Sequence, residues 1–229
     1  MSTSLRPRAA DRASGDRTPP AQALLVGVIL AVGAFEVLWF GVVTHGGLAL
    51  VDPQVVEWVA AHREPWLVTA AVVVTDVGSP AVMITVAVLA LGWWAWRRDR
   101  ARAVLGFAGL GAVLVVDVGA KTLVARPRPP LVFQAVAAQG YSFPSGHAVV
   151  SAGVVLLLLW LVRPVLAAVA RRVRTSVVVV AVLVVAAVGC SRVVLGVHYP
   201  SDVLAGWALA LLVVSAVGLL EVALGRGDA

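Results

Sequence analysis

The chain has 229 residues, 61% of them hydrophobic and only 13% charged, with a mean hydropathy of +0.97 and a formal net charge of +6. A soluble domain runs nearer to roughly half apolar and a quarter charged, so this chain has too little polar surface for a water-exposed globule and reads as an integral membrane protein. No polar stretch is long enough for a nucleic-acid-binding domain, so the pI near 10.9 calls for a membrane explanation.

Residues 1–20 are rich in Arg, Asp, Ser and Pro without apolar periodicity and are expected to form a disordered tail. A first apolar run, Ala21 to Val43, is long enough to cross a bilayer of roughly 30 Å and too long for a signal-peptide core. From Asp52 to Pro65, Val55, Val56 and Val59 recur at helical spacing among Glu57, His62, Arg63 and Glu64, which predicts a short amphipathic helix on the interface. Trp66 to Thr75 is apolar but short, and Gly78, Ser79 and Pro80 interrupt it. A second span is expected from about Pro80 to Trp96, with a possible extension back through the break.

After a basic turn from Arg97 to Arg102, a third span is predicted over Ala103 to Lys121, followed by a polar loop to about Pro144. The fourth span covers Ser145 to Val162, the fifth Ser176 to about Leu195 and the sixth Ser201 to Leu224, with a basic stretch from Arg163 to Arg174 between the fourth and fifth. The expected fold is all-α: one transmembrane domain, 21–225, of six helices. The single cysteine, Cys190, excludes an internal disulfide and is expected to pack inside the fifth span, and no cysteine-histidine spacing suggests a zinc site.

Seventeen of the eighteen basic residues are Arg; the lone lysine is Lys121. Sorting them by side puts thirteen at one face and five (Arg63, Lys121, Arg126, Arg128 and Arg192) at the other. The positive-inside rule then predicts both termini cytoplasmic. Tryptophans near helix ends, Trp39, Trp66, Trp93, Trp94, Trp96 and Trp207, fit interfacial belts.

Alternating spans bring three polar clusters to the extracytoplasmic ends of helices three to six, Lys121 to Pro129, Ser142 to His147, and Ser191 to Asp202, and four of the five outer basic residues lie in the first and third of them. Lys121, Arg128 and Arg192 supply charge and forked donors for a tetrahedral oxyanion, and a helix starting at Ser145 and Gly146 offers free backbone N–H groups. Two histidines beside a phosphate suggest phosphoryl transfer, one attacking phosphorus and the other protonating the leaving oxygen. Asp202 follows His198 by four residues, one turn if the sixth span begins near Pro200, and is placed to orient an imidazole.

Together the clusters resemble the signature of the phosphatidic acid phosphatase type 2 and vanadium haloperoxidase superfamily: Lys, six residues, Arg-Pro; Pro-Ser-Gly-His; and Ser-Arg, five residues, His, three residues, Asp. Here these are Lys121, Arg128 and Pro129; Pro144, Ser145, Gly146 and His147; and Ser191, Arg192, His198 and Asp202, a core spanning 121–202. The resemblance implies a lipid phosphatase of the plasma membrane with its site on the outer face. It implies His198 as a nucleophile forming a phosphohistidine, Asp202 as its orienting group and His147 as general acid. Lys121, Arg128, Ser145, Gly146 and Arg192 would hold the phosphoryl oxygens, with no metal or other cofactor. Expected substrates are polyprenyl diphosphate, phosphatidate or phosphatidylglycerophosphate. A lipid phosphotransferase using the same intermediate is the alternative, a non-catalytic phospholipid carrier a lesser one, and halide oxidation is disfavoured because the family's peroxidases are largely soluble.

Other polar residues have plainer readings. Arg126 supports the phosphate site or contacts lipid headgroups, and Asp117, one turn before Lys121, is expected to pair with it. Glu36 lies within the first span, where ionisable groups are functional candidates. Asp76 is expected to cap a helix at the Gly78 break, and His45 and His62 to lie in solvent-exposed loops. Partners are the lipid substrate and membrane lipids; the oligomeric state is unreadable, although Gly106 and Gly109 permit close helix packing.

Overall fold

A computed structural model of the chain describes residues 21–97 and 99–225. The N-terminal tail expected to be disordered lies outside the described residues, as do Arg98 and Arg226, two of the thirteen basic residues sorted to the predicted cytoplasmic face. Within them the fold is all-helical: α1 (Ala21–Thr44), α2 (Asp52–His62), α3 (Pro65–Val77), α4 (Pro80–Trp96), α5 (Arg100–Val124), α6 (Gly146–Leu161), α7 (Arg163–Ala168), α8 (Arg171–Val194) and α9 (Pro200–Ala223), with 3₁₀ turns at Gly47–Leu50 and Leu131–Phe133. Five segments among the described residues are long and apolar enough to cross a membrane, one being the 32-residue stretch Pro65–Trp96 that joins α3 and α4. The extension back through the Gly78 break is thus present. α6, at 16 residues, is a shorter apolar helix.

Local chemistry sets many of the ends. Proline, with its fixed φ and missing N–H, opens α3, α4 and α9. Ser79, not Asp76, caps α4 by accepting from the Val82 N–H, because the serine stands immediately before the proline that starts the helix; Asp76 is still inside α3. Asp99 caps α5 by accepting from the Arg102 N–H, and α5 ends at Ala125, left-handed at φ 49°. α8 begins at Arg171 instead of Ser176, since arginine is a good helix former and the backbone helix need not stop where the apolar stretch does.

The bundle is built around α6 and α9, the most deeply buried helices. Gly206 lets them touch: a Cβ there would lie 2.9 Å from Ala148 Cβ and 3.0 Å from the Val149 amide. Met83, Leu110, Val113, Val149, Val154, Leu157 and Leu209 fill the core between α4, α5, α6 and α9. α8 buries only Val188, Gly189, Ser191 and Arg192 near its C-terminal end. Cys190 is therefore exposed on the outward side of that helix and does not pack inside. Trp207 departs from the belt expectation as well: it lies inside α9 against Gly189, where a Cβ would come within 2.5 Å of its ring.

At the end of the bundle away from the motif clusters, Glu221 of α9 is only 2% exposed. It accepts from Arg102 Nη2 at 2.9 Å and from Trp160 Nε1 at 2.8 Å, and Arg163 lies 3.4 Å away. Deleting one member of a buried ion pair strands the others in a low-dielectric medium. Glu221→Ala should therefore destabilise the fold by about 3 kcal/mol, and Glu221→Gln by less, in detergent unfolding experiments.

Candidate active site

All three motif clusters meet at the end of the bundle formed by the C-termini of α5 and α8 and the N-termini of α6 and α9. Lys121, in the last turn of α5, pairs with Asp117 one turn earlier, as expected, and donates to the Pro144 carbonyl at 2.9 Å. This contact fixes the chain just before α6. Gly146 lies directly over the pair: a Cβ would stand 3.0 Å from Lys121 Nζ and 3.1 Å from Asp117 Oδ2. The Ser145 N–H donates to the Asp202 carbonyl at 3.0 Å, which joins the start of α6 to the first turn of α9.

His198 sits in the turn between α8 and α9, 2% exposed, with Nδ1 3.4 Å from Asp202 Oδ2 and Nε2 3.0 Å from Arg128 Nη1. The Asp202 separation is long for a hydrogen bond but has the expected partners. Burial holds the His198 pKa down at about 4, against the Asp202 carboxylate that pulls it up, with Arg128 and Arg192 adding to the lowering. The ring is thus neutral at pH 7 and its Nε2 faces the cations. Arg128 also donates to the carbonyls of Gln139, Gly140 and Val197; burial lowers its pKa from the usual value, partly offset by Asp202. His147, in the first turn of α6, lies within the electrostatic reach of Arg192, His198, Lys121 and Arg128.

Arg192 donates through Nη1 to Thr75 Oγ1 of α3 at 2.7 Å. Its Nε, and the Ser145 hydroxyl, are buried without a protein hydrogen-bond partner, so donors remain beside the two histidines for an oxyanion. Ser191 is turned away and donates to the Val188 carbonyl of its own helix.

Asp202 is 0% exposed, and its carboxylate is filled by three donors. It accepts from the Tyr199 N–H at 2.9 Å, from the Ser142 hydroxyl, and from Arg126 Nη1 at 2.6 Å. Arg126 is 13% exposed and is engaged by protein groups: it also donates to Ser201 Oγ at 2.8 Å and to Asp52 Oδ2 at 2.8 Å. Glu36 is exposed on α1, lining a groove with Trp39, Phe40 and Gly47, and takes no part in this cluster. His45 and His62 are exposed, although His62 closes α2 instead of lying in a loop.

Four structurally engaged residues have no sequence signal of their own. Asp52 and Thr75 hold Arg126 and Arg192. Ser201 donates its N–H to Asp52 Oδ1 at 3.1 Å. Arg63, sorted as an outer basic residue, donates to the carbonyls of Phe133 and Val194 at 2.9 Å each. An Asp-Pro pair at the start of an amphipathic stretch marks a helix start for Asp52, but nothing in it marks a partner 74 residues away.

A family model described as the PAP2 superfamily matches residues 101–223. Phosphatidylglycerophosphatase B of Bacillus subtilis (strain 168) is 29% identical over 153 residues, covering 66% of this chain and 73% of that protein. The crystal structure of a transmembrane PAP2-type phosphatidylglycerolphosphate phosphatase from Bacillus subtilis superposes with a TM-score of 0.74 at 25% identity, over 86% of this chain and 98% of that one. The structure of LpxE from Aquifex aeolicus shares the fold, with a TM-score of 0.54 at 18% identity over 74% of this chain and 95% of that one.

Gly196 is required by the turn that carries His198. Its φ is +69°, and a Cβ would fall 2.0 Å from the Phe133 carbonyl oxygen. Gly196→Ala should cost on the order of 2 kcal/mol in detergent unfolding, because both the left-handed backbone and the close approach are lost. It should also reduce turnover by displacing His198, as steady-state kinetics would show.

Proposed function

The chain belongs to the PAP2 superfamily, and from that premise we propose that it is a lipid phosphatase working through a phosphohistidine on His198. The observation that carries the reading is the convergence of Lys121, Arg128 and Arg192 on His147 at the start of α6 and His198 in the turn before α9, beside a buried Ser145 hydroxyl and Arg192 Nε that lack protein partners. Three cations and a helix N-terminus suit a phosphoryl group, and phosphoryl transfer depends mainly on positioning and charge neutralisation.

His198 Nε2 attacks phosphorus as the bond from phosphorus to the lipid oxygen breaks, and His147 protonates that oxygen. Asp202 holds Nδ1–H and stabilises the cationic ring. The entering phosphoryl group takes over Arg128 donors now directed at Nε2 and loop carbonyls, and its negative charge favours a proton on His147. Water, with His147 now accepting its proton, then attacks the phosphohistidine; the N–P bond breaks and inorganic phosphate leaves. Lys121, Arg128, Ser145, Gly146 and Arg192 bind the oxygens, and Asp117 directs Lys121. The ammonium and guanidinium groups supply the charge, so the reaction needs no metal.

The substrate is a phosphomonoester or diphosphate lipid, with phosphatidylglycerophosphate favoured by the names of the Bacillus relatives. We place six spans, 21–225, in the plasma membrane, with α6 as the short one, both termini cytoplasmic and the site at the outer leaflet. The support is the excess of basic residues on the opposite side.

With EDTA present, the purified protein should release phosphate from phosphatidylglycerophosphate, and His198→Ala should lose at least about 10³-fold in kcat. Label passing from lipid to protein should be acid-labile and absent from His198→Ala; label passing to a second lipid instead of water would identify a phosphotransferase. Because the folded His198 pKa is about 4 against 6.5 for the free side chain, the folded protein binds fewer protons between these values. That stabilisation is complete above pH 6.5 and is lost as the pH falls. The His198-dependent acid limb of kcat/KM should accordingly lie well below pH 6.5.

A further inference from the structure

Asp52 stands outside every motif cluster, in the interfacial helix α2, yet it is 1% exposed. It contacts the Arg126 guanidinium at 2.8 Å, the Ser201 N–H at 3.1 Å and the Ser201 hydroxyl. Arg126 bridges two carboxylates: Nη2 meets Asp52 while Nη1 meets Asp202 at 2.6 Å. The guanidinium also lies 4.1 Å from the centre of the Tyr199 ring, which closes the network on one side.

The charge balance of this group bears on the nucleophile. Asp202 and Arg126 alone would cancel, leaving little field to stabilise a positive imidazole. With Asp52 on the far side of the guanidinium, the three groups together carry one net negative charge, directed toward His198. We propose that Asp52 is a positioning residue for the His198 nucleophile: by sharing Arg126 it leaves Asp202 the negative charge needed to stabilise the imidazolium formed when His198 takes the phosphoryl group. The assignment rests on the phosphohistidine reading and adds to it the residue that sets the nucleophile's electrostatics from outside the motifs.

Every packed element contributes charge around His198: Asp202 from α9, Arg192 from α8, Arg128 from the loop after α5, Lys121 from α5 and His147 from α6. Asp76 of α3 acts on Arg192. Around Asp52 stand Arg126, Asp202 and Tyr199. The variants below leave all of these in place except Arg126.

The test follows phosphate release from phosphatidylglycerophosphate micelles against pH, together with the NMR titration of His198 in histidine-labelled protein, which needs no turnover. Asp52→Asn should lower kcat about tenfold with KM changed by less than about twofold. It should move the acid limb and the His198 titration to lower pH by about one unit. Arg126→Gln should move the titration to higher pH, because two carboxylates then face the ring. The double variant Asp52→Asn/Arg126→Gln removes one charge of each sign and should return the titration toward wild type.

If Asp52→Asn does not fold, the contrast between Arg126→Gln and the double variant decides the matter. A lower Tm with an unmoved titration would reduce Asp52 to a structural role and overturn the proposal. So would a double variant that titrates like either single variant. Phosphate release surviving His198→Ala would overturn the phosphohistidine reading instead, and the titrations would still decide whether Asp52 governs the ring.

Discussion

The structure depends on satisfying one carboxylate. Asp202 has no exposure to solvent, and a charge so placed persists only when its oxygens are filled by donors. The donors come from separate parts of the chain: Arg126 from the segment after α5, the Ser142 hydroxyl from the approach to α6, and the Tyr199 amide from the turn before α9. Even its backbone carbonyl is occupied, by the amide of Ser145. Three pieces of chain that would otherwise be independent are thereby held at one point, and His198 and His147 are carried on two of them.

That arrangement needs helices that approach closely, because the serine hydroxyl and the two backbone amides among the donors have little reach. Small residues supply the approach: Gly206 lets α9 meet α6, and Gly153 brings α6 against Val113 of α5. Deeper in the bundle the packing is apolar, and at its other end Glu221 repeats the logic of a buried carboxylate filled by arginine and tryptophan donors from α5, α6 and α7. α9 is thus tied to its neighbours by charge at both ends and by shape between them.

Much of this was legible in the sequence. Helix identities followed from hydrophobic length, and the three clusters could be brought together by alternation of spans alone, because their residues stand at helix ends. The Asp117–Lys121 pair was readable because both members lie on one helix, a turn apart. What escaped were contacts between residues far apart in sequence with no local pattern: Asp52 with Ser201 across 149 positions, Thr75 with Arg192 across 117, and Arg102 with Glu221 across 119. Cys190 was misplaced for a related reason: hydropathy says that a residue avoids water, not whether its neighbour is protein or lipid. Trp207 was misread because an aromatic near the start of a span satisfies the belt pattern equally well when it packs on a glycine of the preceding helix.

The uneven burial of α8 divides that helix into two regimes of constraint. From Val177 to Val184 its side chains face largely outward, so many apolar sequences would serve equally well there, provided the average hydropathy is kept. Near its end, Gly189 admits the Trp207 ring and Arg192 is held by Thr75, and neither place tolerates a substitute of different shape or charge. Sequence drift along α8 should therefore be free between Val177 and Val184 and sharply curtailed over its last two turns. The boundary falls where the helix stops being solvated by lipid and begins to carry the site.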